Sequence, residues 1–173
     1  RGGGSVYGAV VSALPPPVLA LEQLFNEIAA TRMRDVPVQN TELRVQAVGF
    51  LPDPEQNGVW LGILITPWFM NLVRMADVDP AARGSFLAER DKALRHFGNT
   101  LFEFIGAFEP TIGAFETCSM FSPMFEFENQ SAAVATATEI LAQLRQPAAQ
   151  PKAKTPVASS RRGFLFGRPA ARS

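Results

Sequence analysis

Residues 59–66 read Val-Trp-Leu-Gly-Ile-Leu-Ile-Thr, an apolar run that stops at Pro67. So short an uncharged run fits an inner β-strand covered on both faces. Ahead of it, Leu43, Val45 and Ala47 alternate with Glu42, Arg44 and Gln46, the period of a half-buried strand beginning near Thr41. Between them, Leu51–Gly58 is a turn, with Asn57-Gly58 supplying residues that tolerate positive φ. The two runs therefore predict an antiparallel hairpin whose second strand needs cover on both sides.

Other segments supply that cover. Leu21, Leu24, Phe25 and Ile28 fall at helical spacing, which predicts a helix from Val18 to Arg34. Pro37 limits its length. A second hairpin is predicted from Thr100–Phe108 and Ala114–Phe121 around Glu109–Gly113, ended by Pro123. Asn129 is the expected cap of a last helix running to about Gln146, with Val134, Ala137, Ile140, Leu141 and Leu144 inward. Between the hairpins, Phe69–Val73 reads as a short helical turn. Asp79-Pro80 reads as the start of a helix through about Ala93.

The predicted fold class is α+β: a single domain with an antiparallel sheet of two hairpins packed against N- and C-terminal helices. A flexible basic C-terminal tail follows. In order, 1–17 should form a disordered N-terminal segment and 18–146 the α+β domain. A flexible linker over 147–160 then leads to a basic-aromatic motif over 161–173.

The formal net charge is zero, but its placement is uneven. Residues 147–173 hold six basic side chains (Lys152, Lys154, Arg161, Arg162, Arg168, Arg172) and no acid. The preceding 146 residues hold the other 10 basic and all 16 acidic groups, a net of −6. An acidic body argues against nucleic acid as partner, although a Phe-rich sheet with a basic tail has the parts of a single-strand binder. One cysteine excludes an internal disulfide and fits a reducing compartment. No apolar run reaches the ~18 residues of a membrane span, so the expectation is a cytoplasmic protein without stable membrane insertion.

Chemistry-bearing residues are few. Cys118 is either a buried small hydrophobe or a nucleophile in search of a base, and His96, the one histidine, is the base to consider. One Cys and one His do not complete a zinc site, and no cofactor is implied. Glu103, Glu116, Glu126 and Glu128 read as solvated sheet-face charges. Trp68, just past the strand-ending Thr66-Pro67 and followed by Phe69, either plugs the core or anchors a partner. Phe164, Leu165 and Phe166 follow the linker with Arg161, Arg162 and Arg168 around them, a docking motif for this chain or another.

Four stretches together resemble the HybE/HupJ family of [NiFe]-hydrogenase assembly chaperones. They are Val48-Gly-Phe50, Gly62-Ile-Leu-Ile-Thr-Pro-Trp-Phe-Met70, Cys118-Ser-Met-Phe-Ser-Pro-Met124 and Arg161-Arg-Gly-Phe-Leu-Phe-Gly-Arg168. The likeness spans roughly Val18–Arg168 and departs at Arg95-His-Phe-Gly98, where family members commonly carry Pro-x-Gly. It implies an α+β protein without catalytic activity, acting in the cytoplasm on uptake hydrogenase precursors before twin-arginine export. The implied partners are the large-subunit precursor, the small-subunit precursor with its twin-arginine signal peptide, and other maturation accessory proteins. Carried onto this chain, the partner-binding positions are Thr66, Pro67, Trp68 and Phe69, then Cys118, Ser119, Ser122 and Pro123. Arg161, Arg162, Phe164, Leu165, Phe166, Gly167 and Arg168 complete the set. The alternative is a redox or transfer accessory protein that depends on Cys118.

Overall fold

A proline triplet starts the first helix instead of preceding it. Helix α1 spans Pro16–Ala30, two residues ahead of the predicted start, and ends four residues short of the predicted Arg34. Proline suits the first turn because its missing N–H would be unpaired there anyway. The computed structural model describes residues 13–77 and 86–147. The 147–160 linker beyond Pro147 and the 161–173 motif lie outside the described residues.

Six strands follow: β1 (Gln46–Pro52), β2 (Val59–Ile65), β3 (Met70–Ala76), β4 (Lys92–Phe97), β5 (Thr100–Glu109) and β6 (Gly113–Phe121). Helix α2 spans Gln130–Leu144. The strands form one sheet in the order β1-β2-β3-β6-β5-β4, every neighbouring pair antiparallel. The α+β class and both predicted hairpins are present.

Two expectations fail between the hairpins. The segment predicted as a helical turn at 69–73 contributes strand β3 from Met70, inserted between β2 and β6. The helix predicted through Ala93 is absent over its described part, since Lys92–Phe97 is strand β4 at the sheet edge. Asp79-Pro80 lies outside the described residues. The strand predicted from Thr41 joins the ladder only at Gln46, although Leu43 and Val45 are already buried.

Alternation sorts the core into two layers. Leu61, Ile63, Ile65, Met70, Leu72, Phe104 and Cys118 face α2, joined by Ala133, Ala137 and Leu141. Leu64, Val73, Met75 and Phe115 face α1, joined by Val18, Leu21, Leu24, Phe25 and Ile28. Each such aliphatic or aromatic side chain contributes about 1.5–3 kcal/mol by leaving water. Thus β2 is covered on both faces, as its composition requires.

The sheet curls around the end of α2. Arg145 donates to the carbonyls of Gly49 and Leu61 at 2.6 and 3.1 Å, on the β1 side. A Cβ on Gly98, in the β4–β5 turn at the other edge, would lie 3.6 Å from the Gln146 carbonyl. One helix end therefore meets both edges of the sheet. Gly49 lies against Leu141 of α2, and on the opposite, α1-side face Phe50 interlocks with Gly62. Gly49 has φ +62° at the irregularity in β1, and Phe50 lies so tightly on Gly62 that a Cβ there would run into its ring.

Candidate functional site

Thr66 folds the β2–β3 turn through one hydroxyl. Its Oγ1 accepts from the N–H groups of Trp68 (3.2 Å) and Phe69 (2.9 Å) and donates to the Phe69 carbonyl (3.1 Å). Its own N–H reaches the same carbonyl at 2.8 Å. Pro67 cannot extend the ladder, so the chain turns and Trp68 emerges. Thr66 and Pro67 are buried, whereas Trp68 and Phe69 are partly exposed. Trp68 meets Phe69 edge-on at 5.7 Å, and Phe69 meets Phe25 of α1 edge-on at the same distance. Trp68 therefore packs against the α1 layer, as a core plug would, and remains partly exposed.

The second predicted motif arrives beside the first because β3 pairs with β6, Met70 opposite Phe121. Ser122 Oγ donates to the Trp68 carbonyl at 3.4 Å. Ser122 and Pro123 are exposed, as is Ser119, which lies opposite Asn71. Asn71 Oδ1 is buried without a hydrogen-bond partner among the described residues. The Ser122–Pro123 peptide is cis.

Asn40 locks the two motifs together, and the sequence reading missed it. Its backbone N–H donates to the Pro67 carbonyl at 2.8 Å. Its side-chain amide donates to the carbonyls of Met124 (3.0 Å) and Phe127 (2.8 Å), while Oδ1 accepts from Glu42 N–H at 3.0 Å. Phe125 stands between the two carbonyls that Asn40 holds and is 59% exposed. The result is a rim bearing Trp68, Ser122, Pro123 and Phe125, with exposed Glu126 and Glu128 beside them. Nothing in the sequence around Asn40 signals this role, because its partners are distant backbone groups.

Cys118 does not belong to this surface. It is buried on the α2 face, and burial, then the nearby Glu103 charge, pushes its thiol pKa up. His96 is exposed on β4, with β5 between it and β6, on the face opposite Arg95 and Phe97. The structure does not bring the two together, and a protonated thiol is a weak nucleophile. The tail residues Arg161–Arg168 lie outside the described residues.

The reading of Glu116 as a solvated charge is wrong. It is fully buried, opposite Arg74 in the β3–β6 register. Glu116 Oε2 accepts from Arg74 Nη1 at 2.5 Å and from Arg95 Nε at 2.6 Å, and Oε1 accepts from Arg95 Nη2 at 2.5 Å. Leu87 N–H adds a bond to Oε1 at 3.0 Å. Arg74 also donates to Asp53 (3.3 Å) and Gln56 (2.7 Å), with the Phe86 ring 5.9 Å from its guanidinium. Burial alone would push the Glu116 carboxyl up. The Arg95 bonds, the Leu87 N–H and the two guanidinium charges outweigh it and hold the carboxyl below the usual carboxylate range. With both carboxylate oxygens engaged, the cluster is a clamp between β3, β4, β6 and the β1–β2 turn.

Among the described residues no helix is long and apolar enough to cross a membrane. Comparison with known proteins bears on the whole domain. Residues 16–167 match the family described as "[NiFe]-hydrogenase assembly, chaperone, HybE". The chain is 50% identical over 163 residues to Protein HoxT of Cupriavidus necator, covering 86% of this chain and 87% of that one. It is 39% identical over 150 residues to the hydrogenase expression/formation protein HupJ of Bradyrhizobium diazoefficiens, covering 83% of each. The solution structure of HybE from Escherichia coli has the same fold, with a TM-score of 0.57 over 90% of this chain and 91% of that one, at 21% identity. On these matches, the chain belongs to the HybE family of [NiFe]-hydrogenase assembly chaperones.

Proposed function

We propose that this protein is a cytoplasmic assembly chaperone for an uptake [NiFe] hydrogenase, holding the precursor of the large subunit, the small subunit or both before twin-arginine export. It works by reversible binding and makes or breaks no covalent bond. Unassembled subunits expose apolar surface that later becomes interface, and covering it prevents aggregation while metal centres are completed. The observation that carries this reading is the rim: Trp68 and Phe125 are presented from two segments fixed by one buried asparagine.

The roles divide by exposure. Trp68, Phe69, Ser119, Ser122, Pro123 and Phe125 contact the client, while buried Thr66 and Pro67 aim Trp68 and Cys118 packs beneath. Exposed Glu126 and Glu128, on a body of net −6, favour a client segment that carries arginines, such as a twin-arginine signal peptide. The Arg161–Arg168 tail, with Phe164, Leu165 and Phe166 at its centre, provides a second contact. Other maturation accessory proteins meet the same complex.

The test is titration of the purified protein with each purified hydrogenase subunit precursor. Replacing both Trp68 and Phe125 by Ala should weaken capture by about 2 kcal/mol, roughly thirty-fold in Kd, as for an aromatic anchor. Unchanged affinity in a folded double variant removes the rim from the reading.

A further inference from the structure

A trough runs along the flank of α2 where the curled sheet leaves the helix. Its first stretch, about 710 Å³, lies between Ile140, Gln143 and Leu144 on α2 and Thr100, Phe102 and Met120 on the strands, with Asn99 and Glu139 at its border. Its second stretch, about 520 Å³, continues past Phe97, Gly98 and Leu144 to Leu51, Pro52 and Glu55. The two adjoin at Phe97, Gly98, Leu144, Gln146 and Pro147, and together they flank the end of α2. The apolar middle has an acid near each end. Arg145, which also borders it, is turned to the Gly49 and Leu61 carbonyls.

The chain leaves the described domain inside this groove. Pro147, the last described residue, lines both stretches. Beyond it comes a segment whose chemistry is the reverse of the groove's: Arg161-Arg162, then Phe164-Leu165-Phe166, then Arg168. Phe164 lies seventeen residues beyond Pro147, and a random coil of that length has a root-mean-square span of roughly 21–25 Å, enough to reach any point of the groove. Such tethering gives an effective concentration on the order of millimolar. The tail is net +6 and the body net −6, which adds attraction over the same range.

We propose that the groove between α2 and strands β4–β6 is the docking site of the chain's own Arg161–Arg168 segment in the free protein. Phe164–Phe166 occupy the apolar middle, and the flanking arginines meet Glu139 and Glu55. The inference stands on the groove and the tail and is independent of which hydrogenase subunit is held.

The test is site-specific photo-crosslinking in the full chain, with Phe166 replaced by benzoylphenylalanine and the products mapped by mass spectrometry. The expected result is intrachain linkage to Met120, Ile140 or Leu144, with a yield unchanged on tenfold dilution. Linkage to a second molecule, to the Trp68 rim or to the exposed face of β4–β5 (Leu94, Leu101), or absence of any intrachain link, overturns the proposal. Glu139→Lys with Glu55→Lys, at two surface sites, should cut the groove linkage several-fold, and an undiminished yield counts against the charge pairing. No client is present in this experiment, so failure of the client titration leaves its outcome unaffected.

Discussion

The rim around Trp68 and the clamp around Glu116 are both built from polar groups, yet they solve opposite problems. At the rim, uncharged Thr66 and Asn40 bond backbone N–H and carbonyl groups, which fixes the chain path and leaves Trp68 and Phe125 open. In the clamp, charged groups bond one another, and burial leaves no part of Glu116 for a visitor. Neutral anchoring of the backbone leaves side chains free to bind, whereas mutual charge neutralisation consumes the groups involved. Buried charge in this protein therefore marks structure, and exposed side chains mark the place to look for a partner.

The clamp gives the largest expected effect. Glu116→Ala leaves Arg74 buried without its principal counter-charge and should cost about 3–5 kcal/mol, read as a lower urea midpoint with an unchanged m-value. A loss below about 1 kcal/mol would show the ion pair to be dispensable. The pH dependence has a definite sign. The folded carboxyl titrates below its unfolded value of about 4.3, so its stabilisation is full above that pH. It is lost as pH falls through the folded value. Glu116→Gln should flatten this acid limb while leaving the neutral-pH circular dichroism unchanged.

Asn40→Ala comes next and attacks the neutral anchor. Two carbonyls and the Glu42 N–H lose their partner, at a cost of about 2–3 kcal/mol. It should also weaken client capture, because the Phe125 loop is no longer held to the Trp68 turn. Phe125→Ala, at an exposed site, should change stability by no more than about 0.5 kcal/mol. The two variants together separate anchoring from contact: one moves both readouts, the other moves only capture.

The same contrast explains what was legible in the sequence. Val59–Ile65 declared itself because an uncharged run of that length has few other fates, and Asn129 caps α2 as expected, accepting from Ala132 N–H at 2.9 Å. Strand β3 was hidden. Both its faces are buried, so Met70, Leu72, Val73 and Met75 show no period of two, and Asn71 and Arg74 interrupt them. Arg74 and Glu116 lie 42 positions apart, and only the β3–β6 register makes them partners. Asn40 is a similar case, because its partners Met124 and Phe127 act through carbonyls, which side-chain identity does not encode. The rim motifs were found by composition, but their junction depends on strand order.

The weakest thread across that junction supplies the smallest effect. The Ser122 hydroxyl reaches the Trp68 carbonyl at 3.4 Å, at the long end of hydrogen-bond geometry and on an exposed residue. Water replaces such a bond readily, so Ser122→Ala should lower stability by less than about 0.5 kcal/mol. Asn40 would still hold Pro67 on one side and Met124 on the other, so client affinity should remain within about two-fold of wild type. A drop as large as that of Phe125→Ala would mean that the Ser122 contact matters to the client as much as the aromatic one, and would centre the contact surface at the end of β6 near Ser119.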